Sequence, residues 1–428
     1  MLHSVHSIKR RVFAVLFALC FFLTGLVHAG SVADPISVEG PQRMLVIMVT
    51  FPGSKSVIPA EQIAKKAERV GAYIRAVSGG IAWMETTLSG PYELPAPLTE
   101  YSIKPYNAQV DRSRVNRLVR DALNAAQKDH DLSSFKQIWI SVGAWTTPGT
   151  ETGYGMICLS ANPGFLHDPT SGERFKMKAV PLADGSTFSG GIIINTENSV
   201  LGHVAHDLMH AMGGVISGER SVPCLYSHYL QSHPFGGGRP DYDEFSIYLG
   251  PWDVMSQHFL KKTKQAENSD ERRQASPGIT SFTRMQLGWF RPGQVVTVQP
   301  GETKEVTLEP LLGGEKELTV MIPVGKRRYI LVENRQKVSF DSILPSSGLL
   351  VLRVDRTREE GDGTVTVINA NPSLPHFSGA PFMPGQGELL FFEDKALNIA
   401  IAPLAITETG AIRIVVTTPS RVKEFLKK

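Results

Sequence analysis

The sequence predicts an α/β domain followed by an antiparallel β-sandwich domain. Three observations carry that reading. Up to about residue 214, apolar runs of strand length alternate with stretches of helical period. One helical stretch, 198–214, is apolar almost all round yet carries spaced histidines. After Pro292 the pattern changes to short alternating runs divided by Gly and Pro.

In chain order, Lys9, Arg10 and Arg11 precede an apolar run from Val12 to Val27, and Val27-His28-Ala29 gives the small-residue pattern before a cleavage site. Residues 1–29 are therefore expected to be an export signal cut after Ala29, leaving a secreted or periplasmic chain with no membrane span. Export leaves Cys158 and Cys224 as the mature cysteines, and an oxidising compartment would allow them to form one disulfide. The run from Arg43 to Pro52 reads as a buried strand, and Ala60 to Val77 as a helix ended by Ser78-Gly79-Gly80. A proline-broken loop is expected from Tyr92 to Pro95, a helix from Val115 to Asp129 and a strand from Gln137 to Val142. Residues 143–190 read as long loops. Ser189 to Asn195 gives one more strand, expected at a sheet edge, where free backbone groups accept an extended peptide.

The next stretch is Asn198-Ser-Val-Leu-Gly-His-Val-Ala-His-Asp-Leu-Met-His-Ala-Met-Gly-Gly214. Asn198 or Ser199 is expected to cap its start, and Gly213-Gly214 to end it. Val200, Val204, Leu208 and Met212 form a core stripe, while His206 and His210, four apart, can reach one ion. A tetrahedral zinc takes two such imidazoles, leaving room for a third protein donor and a water. The His-Glu-x-x-His form places a carboxylate beside the first ligand to take the proton of that water; here the position is Asp207, shorter by a methylene. His203 lies seven residues from His210, about 10 Å along the axis, so it is expected to support or pack rather than ligate.

The order of these pieces resembles the immune inhibitor A-like zinc metallopeptidases (family M6). Met44 to Phe51 is similar to that family's opening strand, and Tyr73 to Gly80 with Gly90 to Pro95 to its next block. Val204-Ala-His-Asp-Leu-Met-His-Ala-Met-Gly213 is similar to its zinc helix, apart from the Glu. Gly250-Pro-Trp-Asp-Val-Met-Ser256 resembles the turn that sets a methionine under the metal, with Met255 in that place. Met285 to Pro292, Tyr329 to Gln336 and Leu344 to Asp355 resemble the family's later segments. The resemblance implies a zincin-like catalytic domain over 30–292, one catalytic zinc, and a protein or peptide substrate.

Two departures stand against it. Besides Asp207, the family's third ligand, an Asp, would fall at Ile216. The pattern resumes in two registers: Val222-Pro-Cys-Leu-Tyr226, which puts Cys224 at the ligand place, or Arg239-Pro-Asp-Tyr-Asp243, which puts Asp241 there. A carboxylate suits hydrolysis better and a thiolate suits the local Leu-Tyr pattern better, so both stay open; His228 and Glu219 are outside the pattern.

Lys261 to Ala275 is charged and aperiodic and reads as a solvated loop. The sandwich domain, 293–420, is carried by Val295–Val298, Lys304–Leu308, Leu318–Ile322 and Ala411–Val416, and a basic tail follows over 421–428. Glu360-Gly-Asp-Gly363 begins like a calcium loop but lacks the further ligands, so calcium has no clear motif and a turn is expected. No Gly-x-Ser-x-Gly elbow with a partner His and no phosphate-binding loop occurs. A net charge of +3 over 428 residues, without basic-aromatic interleaving, argues against a nucleic-acid partner. The expected activity is zinc-dependent endopeptidase hydrolysis with Asp207 as general base; the alternative is an inactive peptidase-like binding or adhesion protein.

Overall fold

The computed structural model describes residues 32–54, 58–101, 112–144, 158–163, 177–216, 218–232, 242–258 and 275–427. The expected export signal, most of the 143–190 loops and the charged stretch 261–274 lie outside them. No helix among the described residues is long and apolar enough to cross a membrane. Among the described residues the fold is mixed α/β with several sheets and no barrel.

Strand β1 (Gly40–Thr50) is a Met-Leu-Val-Ile-rich run that tolerates burial on both faces, as a central parallel strand requires. It leads into helix α1 (Ala60–Val77), whose buried Ile63, Ala67, Val70, Tyr73, Ile74 and Val77 recur at helical spacing and face the core. Ser78 closes that helix and Gly79 and Gly80 take positive φ, as their sequence position predicts. Strand β2 (Ala82–Glu93) follows; it was not expected, and the Tyr92–Pro95 loop therefore begins only at Leu94. Its residues are mostly exposed or half-buried, and a Gly-Pro pair interrupts it, which hides it from pattern reading. Helix α2 (Arg112–Ala126) then precedes β3 (Gln137–Val142).

Strands β4 (Cys158–Ser160) and β5 (Gly191–Thr196) complete the sheet, in the order β2-β1-β3-β5-β4. All neighbouring pairs are parallel except β4 with β5. Thus β5 is not the expected edge strand: it is paired on both sides, and β4 is the outer one among the described strands. The continuous Ile-Ile-Ile of β5 is the mark of a strand buried on both faces rather than of an edge.

Helix α3 (Leu201–Gly213) follows β5 directly and is buried at every residue. Its N-cap is Val200 with no side-chain cap, so neither Asn198 nor Ser199 serves as expected. Lys66 instead anchors this entry by donating to the carbonyls of Glu197 and Ser199 at 2.7 and 2.8 Å. Gly214, at φ +67°, ends the helix, and a small hairpin follows, β6 (Val215–Ile216) and β7 (Glu219–Arg220).

Beyond helix α4 (Ser281–Gln286) the chain builds two further sheets. One contains β8 (Val295–Thr297), β10 (Thr319–Gly325), β11 (Arg328–Arg335), β12 (Gly348–Asp355) and β13 (Val365–Ile368), in the order β8-β10-β11-β12-β13. The other contains β9 (Lys304–Leu308), β14 (Phe392–Asp394), β15 (Ile399–Ile406) and β16 (Ile412–Thr417), in the order β9-β16-β15-β14. Pairing is antiparallel except between β8 and β10, so the region is not purely antiparallel. Val306, Val320, Val332, Ile401 and Ile414 of the two sheets meet in one apolar cluster. The opposite side chains of the larger sheet, Leu331, Leu350, Leu352 and Val354, join the cluster that holds Val204, Leu208 and Trp252. Residues 422–426 of the basic tail form a short helix, α5 (Val422–Leu426), with Val422 buried.

Candidate metal centre

Two of the three expected donor sets can be placed. His206 and His210 on α3 bring their Nε2 atoms to 2.9 Å from each other. Cys224, on the segment after β7, places its Sγ 3.8 Å from Nε2 of His206 and 3.4 Å from Nε2 of His210. The three donor atoms are close enough to hold one metal ion. Asp241, the other expected donor, lies outside the described residues. Ile216, where the resemblance would have put a ligand, is exposed on the β6–β7 hairpin.

Each imidazole is aimed by its other nitrogen. Nδ1 of His206 faces the Val254 carbonyl at 3.0 Å, and Nδ1 of His210 faces the Val222 carbonyl at 2.6 Å. A carbonyl only accepts, so both Nδ1 atoms carry the proton, and both Nε2 atoms present lone pairs toward the same point. Burial holds His206 down to about 3 and His210 well below the usual imidazole range, with Arg220 the next cause for His210, so neither ring protonates to relieve that meeting. Two lone pairs at such a distance repel unless a cation lies between them. Burial and then the Glu360 carboxylate push the Cys224 thiol well up, while Arg220 opposes them. Binding of a metal ion would displace that thiol proton.

The supports come from distant segments. The turn around Gly250–Trp252 supplies the Val254 carbonyl, and the Met255 carbonyl accepts from the Leu225 amide at 2.9 Å, tying the cysteine segment to the same turn. Met255 is fully buried, in the apolar cluster that also holds Val204 and Leu208 of α3. Asp253 fixes the turn by accepting from Met255 N at 2.8 Å and from Thr280 N, Thr280 Oγ1 and Thr283 Oγ1 at 2.7 Å each.

Asp207 is buried, and its Oδ2 accepts from Asn195 Nδ2 of β5 at 2.8 Å. Burial pushes its carboxyl up to about 7, against the pull of that hydrogen bond. His203 packs edge-on against His258 at 5.2 Å, and His258 in turn lies 4.0 Å from the His206 ring. Cys224 carries a free thiol and faces the imidazoles; the side chain of Cys158, which the sequence offered as a disulfide partner, lies outside what the structure describes.

Three contributors were not anticipated. Arg220 lies four residues before Cys224, with Nη1 3.4 Å from His210 Nε2 and 3.7 Å from Cys224 Sγ. Glu360 Oε1 accepts from Arg220 Nη1 at 2.9 Å and from the Cys224 amide at 2.8 Å. His228, outside the sequence pattern, groups with Cys224 and Glu360. Residues 359–362 do form the expected turn. Arg220 and His258 were legible as polar residues flanking the motifs, whereas nothing local marks Glu360, 136 residues from Cys224. No protein-family model matches this chain, and no curated protein matches it.

Proposed function

We propose that the chain is an exported zinc-dependent peptidase, with a zincin-like catalytic region followed by a β-sandwich region, related to the immune inhibitor A-like metallopeptidases. The observation that carries this is the convergence of two imidazole lone pairs and one cysteine sulfur on a single point, each ring locked by a backbone carbonyl. Tetrahedral zinc, with bonds of about 2.05 Å to nitrogen and about 2.3 Å to sulfur, separates nitrogens by about 3.3 Å and nitrogen from sulfur by about 3.6 Å. The distances of 2.9, 3.4 and 3.8 Å lie on either side of those values. The softness of the sulfur donor favours zinc over calcium or magnesium.

His206, His210 and Cys224 would hold the ion. Zinc there would supply Lewis-acid polarisation of a water and of the scissile carbonyl. Asp207, next to His206 in the helix and steadied at Oδ2 by Asn195, is the candidate general base. The outward edge of β4 is the support for an extended substrate chain, since β5 occupies its other edge.

The test is zinc content of the purified full chain by mass spectrometry, with hydrolysis of a quenched fluorescent peptide library. Stoichiometric zinc, hydrolysis blocked by a chelator, and an Asp207→Asn protein that keeps zinc but loses at least about a hundredfold in rate are expected. A His206→Ala protein that still holds one zinc would sink the assignment. A second reading, a binding protein on a peptidase-like scaffold, is favoured by the engagement of Asp207 with Asn195 and its burial. It wins if the natural chain binds zinc without hydrolysing anything and Asp207→Glu creates activity.

A further inference from the structure

A guanidinium from outside the donor set lies against two of the three candidate donors. Arg220 Nη1 sits within 3.4 Å of His210 Nε2 and 3.7 Å of Cys224 Sγ, nearly out of solvent at 12% side-chain exposure. Left alone, such a cation would oppose a dication at the same place. It is not left alone: Glu360, from the turn between β12 and β13, accepts from Arg220 Nη1 at 2.9 Å and also from the Cys224 amide at 2.8 Å. The turn is seated closely, since the Gly361 carbonyl accepts from the His228 amide at 3.2 Å. A Cβ on Gly361, at φ +80°, would lie 2.3 Å from the His228 ring. One carboxylate therefore fixes both the direction of the guanidinium and the backbone that presents the cysteine.

We infer that Arg220 is the anion-recognition group of this centre, placed to bind a carboxylate that joins the metal as a fourth ligand, and that Glu360 is the positioning residue that aims it and offsets its charge. The inference rests on the metal-centre reading above. With a metal bound, Cys224 as thiolate and Glu360 as carboxylate would face a dication and the guanidinium, so an anion arriving there is drawn by both positive charges. A guanidinium fork matches a carboxylate better than it matches any neutral group. The ligand class is thus a free C-terminal carboxylate, the acid that peptide cleavage leaves, rather than an internal amide.

The test uses the full chain loaded with cobalt, whose visible bands report both metal uptake and the fourth ligand. Acetate and its neutral counterpart acetamide are titrated into the natural protein, Arg220→Met, Glu360→Gln and the double variant. The natural protein is expected to prefer acetate by at least about tenfold. Arg220→Met should cut that preference several-fold, to what the dication alone supplies, while raising cobalt affinity; Glu360→Gln should lower cobalt affinity about tenfold, and the double variant should regain it. Such opposed signs do not arise from loss of structure, and thermal unfolding of metal-free Glu360→Gln is expected within a few degrees of the natural chain. If cobalt binds but Arg220→Met keeps the preference undiminished, or the double variant is worse than Glu360→Gln, the inference is wrong and the metal centre stands. If the natural chain takes up no cobalt with a sulfur charge-transfer band, the metal reading itself fails.

Discussion

At the scale of single residues, the centre turns on Cys224. The sequence left it level with Asp241, and what favours it is a sulfur 3.4 Å from His210 Nε2, reached because the Met255 carbonyl and the Glu360 carboxylate both take amides of its segment. Its loss removes a donor rather than an aiming bond. Cys224→Ser should therefore weaken zinc by more than the roughly 10- to 100-fold that losing an outer hydrogen-bond partner costs, read by competition with a chromophoric chelator. Unchanged affinity would hand the third place back to Asp241. His206 and His210 were readable from their spacing of four; Arg220 was readable only as a charge near the motif, because a guanidinium's target depends on where the chain folds back.

At the scale of elements, α3 works because it is packed so closely that its neighbours become its ligating frame. Gly202 meets the His258 carbonyl, and a Cβ there would lie 1.6 Å from that oxygen. Gly202→Ala should cost about 1–3 kcal/mol in chemical unfolding, since backbone and not a flexible tip must move. The turn beneath it depends on Asp253 in the same way. Asp253→Ala strands four buried donors, and a loss of roughly 3 kcal/mol or more is expected, together with a fall in zinc affinity of about 10- to 100-fold as the Val254 carbonyl swings from His206. Zinc affinity equal to that of the natural chain would show that this turn does not aim the ring. The Pro-Trp-Asp-Val-Met run was legible as a turn, but the threonines that hold it are 27 and 30 residues further on.

At the scale of the whole molecule, the two regions share a core and a buried ionic joint. Arg335 of β11 is fully buried, pairs with Glu333 at 3.0 Å and Asp341 at 2.8 Å, and donates to the Trp252 carbonyl at 2.7 Å. Glu333 in turn takes both donors of Ser281 at the start of α4. Burial raises the Glu333 carboxyl, with Arg335 the main force against it. Arg335→Met leaves two acids without their partner in the interior, and a loss of about 3–5 kcal/mol is expected, with one cooperative unfolding transition spanning both regions. Two separated transitions in calorimetry would mean that the regions fold independently.

The sequence alone determined what depends on near neighbours: the helix over 60–77, the strand over 137–142, the glycines that end helices, and a histidine pair four residues apart. These follow from periodicity and local backbone preference, which are written in consecutive residues. Only the tertiary structure decided that Cys224 joins the pair, that β4 and not β5 is the outer strand, and that Glu360 closes the site. Those depend on which groups end up facing one another once the chain folds back, across 14 residues for Cys224 and His210 and 136 for Cys224 and Glu360, and no local pattern records that.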